Sequence, residues 1–175
     1  AQSHERAAAA QKDGKFDNEI ISVEIPQRKG DPIVLEADEG VRPGTTAESL
    51  GKLRPAFAKD GNITAGNASQ ISDGGAAVIV CSAAKAEELG LKPLGEIVAI
   101  GQVAGPDASL ISQPAQAIKA AMAKVDLTVD DIDLFELNEA FAAVGVQSMK
   151  DLGISDDIVN VNGGAIAIGH PVGVS

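Results

Sequence analysis

The chain is 175 residues long, 45% hydrophobic and 22% charged, the values of a globular chain and not of a disordered polymer or a charged coiled coil. Fourteen basic against 25 acidic residues leave a net charge of −11, which opposes nonspecific attachment to nucleic acid or to an anionic membrane. One cysteine beside two histidines excludes an internal disulfide and argues against a metal site, and it points to a reducing, cytoplasmic compartment.

In chain order, residues 2–13 are an Ala-rich run predicted to be helical and to stop near Gly14. Glu19–Ile25 and Ile33–Leu35 read as strands separated by a turn from Pro26 to Pro32. Thr45 and Glu48 have the spacing of a capping box for a short helix containing Leu50. From Arg54 to Gly75 the chain is loop-rich, and GNITAGNASQISDGG has the composition of a surface excursion or a binding loop.

The character changes after Gly75. AAVIVC, residues 76–81, has the unbroken apolar pattern of a strand buried on both faces, and SAAKAEELG follows as a helix ending at Gly90. A long strand over Leu94–Gln102, a helix from about Pro114 to Lys124, a strand over Asp133–Leu137, a helix over Asn138–Leu152 and a strand over Ile158–Asn162 complete the pattern. Strands alternating with helices at this spacing predict a mostly parallel or mixed sheet covered by helices, an α/β fold. No run approaches the ~20 apolar residues that span a bilayer, and AQSHERAAAAQKDG lacks a signal-peptide core. With no initiator Met and a Gly/Pro-rich stop at GHPVGVS, the chain reads as an excerpt of something longer.

Two places concentrate polar chemistry at the carboxyl ends of predicted strands, where α/β layers present ligands. In LFELNEAFAAV, Asn138 either caps the following helix or holds a water or substrate oxygen. In GGAIAIGHPVG, four glycines permit close approach, and His170 is pinned between Gly169 and Pro171. Such an imidazole can exchange protons near neutral pH or donate to a developing oxyanion, or it is a structural histidine satisfied by the backbone. Cys81, at the end of an apolar run, is expected to be a small core hydrophobe. His4 is expected on the surface or at a subunit contact, and Asp73 at a turn. Asp130, Asp131 and Asp133 lack calcium-loop spacing. Arg42, Lys52 and Arg54 either attract a phosphorylated ligand or form ordinary surface ion pairs.

KDGNITAGNASQISDGGAAV at 59–78, NEAFA at 138–142 and NGGAIAIGHPVG at 162–173, in that order, resemble the thiolase family, in its acetyl-CoA acetyltransferase and 3-ketoacyl-CoA thiolase branches. The resemblance implies a layered α/β/α/β/α fold, incomplete in this chain. It implies that residues 1–70 are the later part of a coenzyme A binding loop domain, 71–92 the closing strand and helix of the N-terminal half, and 93–175 the C-terminal half without its final strands. It further implies that His170 activates a nucleophilic cysteine and helps form an oxyanion hole, and that Asn138 holds a catalytic water in that hole. Ser69 would lie at the pantetheine arm, Phe57, Ala65, Phe141 and Val172 would line the pantetheine tunnel or acyl end, and Arg42 would sit near the nucleotide.

The implied reaction is thiolysis of 3-ketoacyl-CoA by coenzyme A, or the reverse Claisen condensation of acetyl-CoA, in a homodimer or homotetramer that needs no metal or redox cofactor. The family's two catalytic cysteines have no counterpart here, since Cys81 matches neither position, so this chain alone is expected to be inactive. The competing readings are a noncatalytic coenzyme A binding module and a thiolase-like lipid-transfer relative.

Overall fold

The computed structural model describes residues 1–173. Its first helix, α1 (Gln2–Lys12), has Glu5 in the first turn and Lys12 in the last, charges that suit the helix dipole. Ser3, His4, Ala7 and Ala10 are buried on one face of it, the three-to-four-residue spacing of a helix packed on one side. His4 therefore lies inside, not on the surface expected from its charged neighbours. Its Nδ1 accepts the backbone N–H of Arg42 at 3.1 Å.

Two short strands, β1 (Val23–Ile25) and β2 (Ile33–Leu35), pair antiparallel with Val23 opposite Leu35 and Ile25 opposite Ile33. The first is shorter than predicted, because only three residues find partners. Helix α2 (Ala47–Gly51) is capped by Thr46, whose hydroxyl accepts from Ser49 N–H while Ser49 Oγ returns to Thr46 N–H. The capping box thus sits one residue later than the Thr45/Glu48 spacing suggested.

After Ser72 the structure departs most from the sequence reading. Residues 76–81 are not a strand, and among the described residues none of their backbone groups is paired. Ile79 is 95% exposed, and Val78, Val80 and Cys81 are exposed with it, so Cys81 is not the core residue expected. Residues 94–102 likewise form no strand and are largely exposed, with Ile97 at 63%, and Ile100 O accepts from Lys124 Nζ at 2.6 Å. A strand exists only through a lateral hydrogen-bonding partner, and these residues find none here. Between them, α3 (Ala83–Glu88) forms where expected, with Ser82 Oγ accepting from Lys85 N–H.

Beyond residue 110 the chain packs. Helix α4 (Gln113–Met122), which has a proline in its first turn, and helix α5 (Ala142–Leu152), which ends on Gly153 at φ 72°, lie against each other. The two predicted strands between and after them are reduced to one parallel bridge, Phe135 to Val159, with Phe135 N–H donating to Ile158 O and Asn160 N–H to Phe135 O. Ala115, Phe135, Leu137, Leu152 and Val159 form the core there, with Ile118, Ile132, Met149 and Ile158 packed around it. A buried Phe contributes on the order of 1.5–3 kcal/mol by removal from water.

The Gly-rich run holds a short helix, α6 (Ala165–Ile168), where a loop was expected, and three of its four residues are buried. It packs on α1. The approach is close enough that a Cβ on Gly163 would overlap Ala7 and the Ser3 carbonyl. No helix among the described residues is long and apolar enough to cross a membrane.

Candidate functional site

The site is built on the segment from Leu137 to Phe141, which is held from both sides. On one side Asn160 stands in for a strand: its Oδ1 accepts from Leu137 N–H at 2.7 Å and its Nδ2 donates to Leu137 O at 2.8 Å. Its φ of 47° is a left-handed conformation that asparagine tolerates better than most residues. On the other side Ser69 N–H donates to Ala140 O at 3.0 Å, and Ala142 N–H to Asn67 O at 2.8 Å. Because the 137–141 backbone is occupied this way, α5 starts at Ala142 with Phe141 at its N-cap position. Asn138 therefore does not cap it, and the capping alternative is excluded.

His170 follows α6 through Gly169, whose φ is 94° and whose missing side chain leaves room for Ser72. Gln70 holds this end of the helix. Its Nε2 lies within hydrogen-bonding distance of Ile166 O, Ala167 O and Gly40 O, and its own carbonyl accepts from His170 N–H. The outcome is that Asn138 and His170, 32 residues apart, meet: Asn138 Nδ2 is 3.2 Å from His170 Nε2 and 3.4 Å from Nδ1. An amide N–H can donate only to a ring nitrogen that carries no proton, so in this contact the ring nitrogen facing Asn138 is the acceptor.

Both side chains open onto one cleft of about 430 Å³, whose walls include Gln102, Val103, Leu110, Pro114, Ala140 and Val144. Its lining is mostly apolar with convergent polar groups from Asn138 and His170, the makeup of a small-molecule site. A carbonyl oxygen entering it would meet an amide donor and an imidazole able to carry a proton.

Of the other predicted residues, the structure brings Ser69 and Phe141 to this place, through the backbone pairing of residues 67–69 with 140–142. It does not bring Arg42, Phe57, Ala65 or Val172 into the cleft. All four are exposed, Phe57 at 79% and Val172 at 83%. Lys52 pairs with Glu48 at 2.7 Å on the surface, the ordinary ion-pair alternative. Among the described residues no group of three or more His, Cys, Asp or Glu is placed so that it could hold a metal ion.

Sequence reasoning passed over Ser3, Glu139 and Asn160. Glu139 Oε2 accepts from Ser3 Oγ at 2.7 Å and from Ile166 N–H at 3.1 Å, and Oε1 accepts from Asn160 Nδ2 at 3.2 Å. Ser3 Oγ in turn accepts from Gly164 N–H at 3.0 Å. The signal that could have found them is a carboxylate inside LFELNEAFAAV, which must find donors where its neighbours are buried. Nearby, burial and the charge of Glu139 push the Glu136 carboxyl above its usual range.

The family described as Thiolase, N-terminal domain, matches residues 1–84, and Thiolase, C-terminal domain, matches residues 91–175. The chain is 65% identical over its whole length to a probable acetyl-CoA acetyltransferase of Mycolicibacterium smegmatis, covering 45% of that protein. It is 59% identical to a probable acetyl-CoA acetyltransferase of Mycobacterium tuberculosis, covering 44%. Among solved structures it superposes on the Bacillus anthracis acetyl-CoA acetyltransferase with a TM-score of 0.86 at 43% identity, over 98% of this chain and 43% of that one. The human mitochondrial 3-ketoacyl-CoA thiolase gives 0.83 at 37% identity, over 99% and 43%. The chain thus spans less than half the length of the relatives it matches, and it shares their α/β fold over nearly all of its own.

Proposed function

Because this chain belongs to the thiolase family, we propose that a subunit of the relatives' length containing it is an acyltransferase, cleaving 3-ketoacyl-CoA with coenzyme A or condensing acetyl-CoA in reverse. The observation that carries this reading is the Asn138–His170 contact at the mouth of the cleft. In thiolysis a cysteine thiol gives its proton to the His170 imidazole and attacks the ketone carbon of 3-ketoacyl-CoA. Breaking the bond between the carbonyl carbon and its alpha carbon leaves an acyl-cysteine and the enolate of acetyl-CoA, and a second cysteine protonates that enolate. The thiol of coenzyme A then gives its proton to the second cysteine and takes the acyl group, and the first cysteine leaves as a thiolate that recovers its proton from His170. Charge develops on oxygen at each stage, so donors already fixed at its position lower the barrier most. His170 is one such donor, and Asn138 holds a water that is another.

The cysteine roles fall to residues outside this sequence, since Cys81 is exposed and does not line the cleft. The 175-residue chain is by that reasoning inactive alone. Ser69, Phe57, Ala65, Phe141 and Val172 are assigned to the pantetheine arm or acyl end, and Arg42 to the nucleotide. Residues 1–70 are assigned to the later loop domain, 71–92 to the close of the N-terminal half and 93–175 to the C-terminal half, within a cytoplasmic homodimer or homotetramer.

The deciding experiment is a thiolysis assay of the complete subunit with acetoacetyl-CoA and coenzyme A. Disappearance of acetoacetyl-CoA with formation of two acetyl-CoA supports the reading. Binding of coenzyme A without turnover defeats it in favour of a binding module.

A further inference from the structure

Resting on the thiolase reading, the geometry points to Glu139 as a positioning residue, whose carboxylate fixes the loop carrying Asn138 against the short helix that delivers His170. Asn138 and Ala140 line the cleft, whereas Glu139 does not. Along an extended backbone successive side chains point to opposite sides, so Glu139 faces away from the cleft, into the protein. There it gathers three donors from three separate parts of the chain: Ser3 of α1, Asn160 after the parallel bridge, and the backbone N–H of Ile166 within α6.

Two of these contacts bear directly on the functional pair. Glu139 adjoins Asn138 in sequence, and Ile166 lies one helical turn before His170. The carboxylate therefore ties together the two loops whose side chains meet at 3.2 Å. Gly164 makes the approach possible, since a Cβ there would overlap both the Glu139 carboxylate and the Asn160 amide. Asn160 couples the tie to the core, because the same amide nitrogen that reaches Glu139 also donates to Leu137 O.

A carboxylate is the group this place requires. It accepts at both oxygens and donates at neither, and every partner it meets is a donor. Glutamine keeps the shape but turns one oxygen into an N–H donor, which must then face either Asn160 Nδ2 or the Ser3/Ile166 pair. That conflict loosens the tie without removing side-chain volume. A displacement of about 1 Å at a reacting group costs up to about a hundredfold in rate.

The test is Glu139→Gln in the complete subunit, checked for folding by circular dichroism and assayed by thiolysis. The expected result is a fall in kcat of roughly ten- to a hundredfold with KM for acetoacetyl-CoA within about twofold. In an Asn138→Ala background the same substitution should cost less than about threefold more, because its effect runs through the pair already broken. A folded variant with unchanged kcat, or one whose losses simply multiply in the double variant, overturns the proposal. If Glu139→Gln does not fold, Ser3→Ala, which removes one donor only, serves in its place with the same criteria. If the parent subunit shows no thiolysis, the functional reading has failed, and the positioning claim is decided by the crystal structure of the variant. Asn138 and His170 moved beyond hydrogen-bonding distance support it, and an unmoved pair overturns it.

Discussion

The segments around residues 76–102 and around residues 135–170 are both rich in apolar residues, yet they behave oppositely. In the first, Val78, Ile79, Val80, Ile97 and Val98 are exposed along backbone that finds no partner. In the second, Phe135, Leu137, Val159 and Ile166 are buried, and side chains satisfy the backbone wherever the ladder stops: Asn160 at Leu137, Ser3 and Glu139 at the start of α6, Gln70 at its end. Hydrophobicity alone does not close a structure. The second region folds on itself because its polar side chains act as local partners, and the apolar runs at 76–81 and 94–102 of the first have no strand to pair with among the described residues.

The strongest way to break this contrast is to express the 175 residues alone. Unpaired strand-like segments with uncovered apolar faces favour association, and a charge of −11 opposes it without supplying hydrogen-bond partners. The expected outcome is a broad, associated distribution in analytical ultracentrifugation and no measurable cleavage of acetoacetyl-CoA. A monodisperse, cooperatively unfolding monomer would show that the exposed segments need no cover, and turnover by it would remove the need for outside cysteines.

Two substitutions, one in the core and one on the exposed run, sharpen the same comparison. Phe135→Ala in the complete subunit should destabilise by about 3–5 kcal/mol, the usual cost of a cavity in a packed core, read from denaturant midpoints. Ile79→Ala in the isolated chain should leave its helical circular dichroism unchanged, since the residue is exposed there, whereas Phe135→Ala in the same chain should lower it. Equal effects would mean the two regions are equally packed.

Next in size is His170→Asn in the complete subunit, expected to lower turnover by at least about a hundredfold, the scale of losing a general base or an oxyanion contact. Its stability should be nearly unchanged, because the ring lies at the cleft and not in the core. Kinetics near those of the parent would return His170 to a structural role.

Much of this was legible in the sequence, for identifiable reasons. Helices α1 and α4 follow from an Ala-rich run and an amphipathic one, α3 from its Ser82 cap, and the family from three motifs whose order survives any error in secondary structure. The strands were readable as apolar runs, but their pairing depends on distant partners that a local pattern does not contain. Asn138 as a helix start failed because the Asn160 side chain claims the backbone of Leu137. The short helix in GGAIAIGHP was hidden by its glycines, which are there for close contact with α1 and Glu139 and not for looseness. Cys81 was misplaced because burial was inferred from a strand that finds no partner here.

The smallest effect, and the one most specific to the packed region, concerns His4. Burial lowers the His4 pKa below its usual 6.5, with Arg42 acting in the same direction and Glu139 against it. The neutral ring is the form that the fold uses, because Nδ1 must accept from Arg42 N–H. In the unfolded chain the ring titrates normally. Between the lowered folded value and 6.5 the unfolded state therefore binds more protons, so this contribution to stability is fully present above pH 6.5 and is lost as pH falls through the folded pKa. His4→Gln has no proton to gain and should flatten that part of the profile. The measurement is the denaturant midpoint of the complete subunit and of its His4→Gln variant from pH 7.5 down to 5. The difference between them should narrow as pH falls. Parallel curves would mean that His4 is solvated in both states and that the packing of α1 on α6 does not extend to its ring.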